Sequence, residues 1–95
     1  MSTRHAKPVV HVVGSVCKPD LETEVEKWYI EEHFPMLLHF KELKQAQLYK
    51  RLYKNPKYPK YLSIYNFASQ SDFEAYESSP ELAAARKDTV RKWKA

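Results

Sequence analysis

Apolar positions along the chain switch between two periods, and the switches mark the elements. Val9 to Cys17 is a β-branched run with period-two character that ends at Lys18-Pro19-Asp20, which predicts a strand. Leu21, Val25, Trp28 and Tyr29 then recur at i, i+4, i+7 and i+8, one face of a helix running to about His33. Asp20 suits its N-cap, and Glu22 and Glu24 suit the positive end of its dipole. Pro35 is expected to kink or end this helix, leaving Met36 to Phe40 as one further short turn over the core. Gln45 to Tyr53 and Tyr61 to Phe67 read as two more strands. The turn between them, Lys54 to Pro59, holds two prolines, so the simplest pairing is an antiparallel hairpin. Ser69 or Ser71 caps a short helix carrying Phe73 and Tyr76. Ser79-Pro80 opens a last helix on which Leu82, Val90 and Trp93 share a face.

Alternation sorts the strand residues into two faces, because side chains i and i+2 lie on the same side of a sheet. Val10, Val12, Val16, Ala46, Leu48, Leu52, Leu62 and Ile64 make an aliphatic set, which is expected to carry the helices. The other set is aromatic and polar: His11, Val13 and Ser15; Gln45, Gln47, Tyr49, Arg51 and Tyr53; Tyr61, Ser63, Tyr65 and Phe67. On this reading it forms the open face, suited to a ligand cleft against a second sheet or to stacked nucleic-acid bases.

Length and charge limit the classes open to such a chain. Its 95 residues make one domain, 9–95, behind a flexible tail, 1–8. A chain of this size gains from burial against a second copy. Sixteen basic and twelve acidic residues give a charge of +4, which permits an anionic or nucleic-acid partner without requiring one. Cys17 is alone, so no internal disulfide forms, and no Cys/His spacing suggests a metal site. The lone cysteine leads us to expect a cytoplasmic location, and Met1 to Pro8 with the valine run behind it reads as neither a signal peptide nor a membrane span.

Candidate chemistry concentrates where the first helix ends. Glu32 falls within its apolar face, and His33 lies at the edge of that face, just ahead of Pro35. His33 has the ordinary pKa range of a general acid or base, with Glu32 placed to orient it. His11, Trp28, Tyr29, Tyr49, Ser63 and Tyr65 are the candidate ligand-binding residues beside this pair. The opposing readings are a packed, hydrogen-bonded core histidine and a Glu32 that swings into solvent.

The run W-Y-x-E-E-H-x-P near a helix end, then Q-x-Y-K-R-L-Y, Y-L-S-I-Y-N-F and S-D-F-E-A-Y-x-S-S-P-E-L, resembles the EthD-like small proteins of the dimeric α/β-barrel superfamily. The resemblance spans residues 9 to 90. It implies an α+β, ferredoxin-like antiparallel sheet with helices on one face, pairing as a homodimer around a small-molecule site. It also implies cofactor-independent activity, without metal or flavin, of monooxygenase, isomerase or dehydratase type on an aromatic or polyketide-like substrate. Trp28 and His33 match the family's W-to-H-x-P segment. One departure is that helical sequence continues to the last residues where a fourth strand belongs, leaving one edge of the first strand without a partner. Two other classes compete. A single-stranded nucleic-acid module would use Tyr61, Tyr65 and Phe67 as a stacking platform, but Lys60 to Phe67 lacks the glycine of the RNA-binding strand consensus. A purely structural dimer would use the same face for packing alone.

Overall fold

A computed structural model describes residues 7–52, 54 and 57–93. Residues 1–6 of the expected tail and Tyr53 of the expected second strand lie outside them. The order is β1 (Val9–Ser15), a 3-10 turn (Pro19–Leu21), α1 (Glu22–Trp28), a π turn (Tyr29–His33), α2 (Phe34–Leu38), β2 (Leu43–Lys50), β3 (Tyr61–Phe67), α3 (Gln70–Glu77) and α4 (Pro80–Trp93). The three strands form one antiparallel sheet in the order β1-β3-β2, with helices on one face. Among the described residues, the outer edge of β1 has no strand beside it.

Local chemistry explains the helix starts. Ser69 accepts the Asp72 amide at 3.2 Å and caps α3. Ser79 accepts the Leu82 amide at 3.1 Å and caps α4, with Pro80 at the first helical position, where its missing N–H costs nothing. Only the first helix departs from its expected boundary. It does not end before Pro35: the Phe34 amide bonds to the Tyr29 carbonyl, five residues back, and helical structure continues to Leu38. A π turn takes up the extra residue, and Pro35 becomes an early residue of the next helical segment, where a proline is tolerated.

The sheet faces correct the expected arrangement. Tyr61, Ser63, Tyr65 and Phe67 lie beneath the helices, with Ser63 at 0% and Phe67 at 1% exposure. Val10 and Val12 lie on the uncovered face at 57% and 48% exposure. For β2 the expected assignment holds within the strand, Ala46 and Leu48 packing against the core while Tyr49 is exposed, but Leu52, expected beside them, lies past the strand's end and is 88% exposed. The pairing makes these placements consistent, since Ala46 sits opposite Tyr65 and Leu48 opposite Ser63. On the other side of β3, His11 pairs with Tyr65 and Val13 with Ser63. An irregularity between Leu43 and Gln45 lets buried Leu43 face the helices together with Ala46, although three residues separate them.

Rings packed on rings explain why the aromatic side is the covered one. The helices bring Trp28, Phe34 and Tyr76 to it, and Phe34 meets Tyr65 edge-on at 5.7 Å while Phe67 lies 4.9 Å from Tyr76. Aromatic side chains bury more area than Val or Leu, and such pairs add about 0.5–1.5 kcal/mol beyond that area. A polar cluster fastens α1 to the far end of the sheet: the Tyr61 hydroxyl donates to Glu26 at 2.6 Å, and Lys50 lies 3.2 Å from Glu26 and 3.4 Å from Glu22. On the open face, Pro59 folds so closely over Gly14 that a Cβ there would lie 2.5 Å from its Cγ, which accounts for glycine in a valine-rich strand.

Candidate functional site

A cleft of about 450 Å³ lies between the helix-covered side of the sheet and the helices. Its floor is His11 and Val13 from β1 with Ser63 and Tyr65 from β3; Trp28, Tyr29, His33 and Leu37 form one wall, and Arg86, Thr89 and Val90 of α4 the other. The π turn gives the first wall its geometry. Five residues apart on an α-helix, Trp28 and His33 would point about 140° away from one another. Widening the turn brings the imidazole over the indole, with centroids 4.5 Å apart and planes 24° apart. Tyr29 approaches the same imidazole edge-on at 5.5 Å. A sequence reading finds the residues but misses this stack, because the signal for a π turn is only a proline inside a pattern that stays helical on both sides.

His33 is the electrostatic anomaly of the cleft. Its Nδ1 is buried without a hydrogen-bond partner. Burial pushes its pKa down to about 4, against a smaller upward pull from Asp88, so the imidazole is neutral at pH 7. Asp88 is itself engaged: it accepts from the Trp28 indole N–H at 3.4 Å and pairs with Arg91, whose hydrogen bond holds the carboxyl below its usual range. Burial raises the Tyr65 hydroxyl pKa, and raises that of Tyr76 to about 12, so both stay protonated donors at neutral pH. Ser63 donates to the Val13 carbonyl at 3.3 Å and holds the floor.

Of the eight candidate residues, His11, Trp28, Tyr29, His33, Ser63 and Tyr65 all line this cleft. Glu32 is exposed and lines no part of it. Tyr49 lies on the open face, where its hydroxyl donates to Gln47 at 2.6 Å. Arg86 and Thr89 escaped the sequence reading; Val90 shares a face with Leu82 as expected, but it is 68% exposed and lines the cleft with it. The available signal was their spacing, since 82, 86, 89 and 90 share one side of a helix. A neighbouring groove of about 630 Å³ holds Cys17, Tyr61, Lys92 and Trp93 and shares Trp28, Tyr29 and Thr89 with the first. Burial raises the pKa of the Cys17 thiol, which keeps it protonated and poorly nucleophilic. We place the candidate site in the smaller cleft because the buried, unpartnered atom there is an imidazole nitrogen, which can donate or accept, whereas the one in the larger groove is the Trp93 indole N–H, a donor only.

No group of three or more His, Cys, Asp or Glu placed to hold a metal ion occurs among the described residues. None of their helices is long and apolar enough to cross a membrane. The rings proposed as a base-stacking platform, Tyr61, Tyr65 and Phe67, are covered by the helices and cannot serve as one.

Sheet, helices and cleft together define an α+β protein with the ferredoxin-like architecture of EthD-like proteins. The crystal structure of an ethyl tert-butyl ether D (EthD) family protein from Bacillus halodurans superposes with a TM-score of 0.63 at 11% identity, over 88% of this chain and 83% of that one. At that identity the likeness is one of fold. The chain belongs to the family DUF4286, a domain of unknown function, whose model matches residues 9–95. No curated protein matches the sequence.

Proposed function

We propose that this chain is a small-molecule-binding protein of the dimeric α/β-barrel kind, with the His33 cleft as its ligand site and the open sheet face as its homodimer interface. The observation that supports it is the buried, unpartnered Nδ1 of an imidazole stacked on Trp28, in a cleft that also presents the rings of Tyr29 and Tyr65. An orphaned buried nitrogen costs about 1–3 kcal/mol, which a ligand's polar atom would return. The volume falls within the roughly 300–1,000 Å³ usual for such sites. Any proton transfer would begin from neutral His33 acting as an acceptor, and a pKa near 4 makes that acceptor weak. Glu32 stands outside the cleft, so Trp28, and not a carboxylate, orients the ring. Binding is therefore better supported than turnover.

Tryptophan fluorescence titrated with a panel of small aromatic acids, phenols and alcohols tests this reading. At least one compound should quench Trp28 saturably, and His33→Phe, which keeps the stacked ring and removes the nitrogen, should weaken that compound at least about tenfold with folding retained. Unchanged titrations in the variant, or no saturable ligand in the panel, would count against it.

A further inference from the structure

The polar groups around the cleft differ in charge in a way that bears on what enters it. Arg86 is the one Lys or Arg among the lining residues, and no Asp or Glu is among them. Of the other cations of α4, Arg91 is paired with Asp88, Lys92 lies over the face of Trp93 at 5.5 Å, and Lys87 lines no part of the cleft. The Arg86 side chain is exposed, lines the cleft, and makes no ion pair or hydrogen bond with the described residues; its charge also opposes the upward push of burial on the Tyr76 hydroxyl. Asp88, whose charge acts on His33, is held by Trp28 and Arg91 and does not line the cleft.

We propose that the cleft selects a flat monocarboxylate, aromatic or conjugated, whose ring lies among Trp28, Tyr29 and Tyr65 and whose carboxylate pairs with Arg86. This rests on the cleft being a ligand site, as argued above. The planar fork of a guanidinium matches a carboxylate through two parallel N–H···O bonds. Within the cleft lining Arg86 is the one charged side chain and balances one negative charge, so a phosphate dianion held there is half compensated; Lys87 and Arg91 join Arg86 only along a separate groove outside the cleft. With His33 neutral, the interior offers hydrogen bonds and ring faces only, so charge selection falls to the rim.

Calorimetric titration of the wild-type protein with 2-naphthoate, its neutral counterpart 2-naphthalenemethanol, and naphthyl phosphate separates the possibilities. The carboxylate should bind at least about tenfold more tightly than the alcohol, about 1.4 kcal/mol, and more tightly than the phosphate. Arg86→Gln should abolish that preference while leaving the alcohol's affinity unchanged, and Arg86→Lys should restore part of it. Lys87→Gln, the same charge change one residue further on and outside the cleft, should leave the preference intact. Equal binding of acid and alcohol, a preference that survives Arg86→Gln, tighter binding of the phosphate, or an equal loss in Lys87→Gln would overturn the assignment to Arg86 while the cleft still stands as a binding site. Failure of all three compounds to bind would remove both proposals together.

Discussion

The two faces of the sheet use the same three strands for opposite purposes. Beneath the helices, β3 presents Tyr61, Ser63, Tyr65 and Phe67, all buried. One residue along, the same strand presents Leu62, Ile64 and Asn66 to the open side, beside half-exposed Val10, Val12 and Tyr49. The covered face holds most of the rings and the chemistry; the open face is divided, aliphatic along β1 and much of β3 and polar along β2, where Asn66 donates to Gln45 and Tyr49 to Gln47. In this protein the core is therefore built from the residues that also make the site, and Val10, Val12 and Leu62 are left exposed on the other side. Exposed apolar side chains gathered on one face are a recognised mark of an interaction surface.

Truncation should separate the faces most sharply. Phe67 is fully buried and packs between Phe73 and Tyr76, at 5.4 and 4.9 Å. Phe67→Ala should cost about 3–5 kcal/mol in urea unfolding, through lost transfer energy and the cavity left behind. A loss below about 1 kcal/mol would mean that the helices do not pack on this face.

Acid titration of stability is the next effect in size. The folded pKa of His33, about 4, lies below its usual 6.5, so between those values the unfolded chain takes up a proton that the folded chain refuses. Stability should fall as pH drops from about 6.5 to about 4 and show no further His33 contribution below that, a change on the order of 2–3 kcal/mol. Asp88 and Glu26, whose pKa values are depressed by their partners, lose their contributions as pH falls through the carboxylate range, in the same direction but lower on the scale. Comparing wild type with His33→Phe isolates the imidazole. Identical stability profiles between pH 6.5 and 4.5 would show that His33 is solvated.

Much of this arrangement was legible in the sequence, and its failures have physical causes. Caps and breakers located the elements: Ser69, Ser79-Pro80 and the proline-rich turn act locally, so their meaning survives tertiary packing. The family resemblance rested on the same stretches, and the fold bears it out. Faces were harder. β1 carries valine on both sides, Val9 and Val13 against Val10 and Val12, so alternation gives it no direction. In β3 the choice between a Tyr-Ser-Tyr-Phe side and a Leu-Ile-Asn side depends on what the helices offer, and they offer Trp28, Phe34 and Tyr76. Only β2, with Ala46 and Leu48 against Gln45 and Gln47, carried an unambiguous contrast, and it alone was oriented correctly. Of the site, His33 and Trp28 were visible as residue types; their stacking was not, because it depends on a π turn.

The smallest effect on the protomer is the one that decides the role of the open face. Val12 lies midway along β1, opposite Ile64, and is 48% exposed, so a lysine there can extend into solvent. Val12→Lys should change protomer stability by less than about 1 kcal/mol, the span of strand preferences at an exposed site. If two copies pair through this face about a two-fold axis, however, the substitution places a charge on each side of one interface, and desolvating an unpaired ammonium costs several kcal/mol. Sedimentation at micromolar concentration should then show wild-type protein at twice the 11.3 kDa protomer mass and the variant at the protomer mass. A wild-type protein found only as the protomer would remove the homodimer from the proposal. A variant that still dimerises would move the contact off this face, with the edge of β1 that no described strand pairs the next surface to test, since its backbone groups can pair with another strand without involving the open-face side chains.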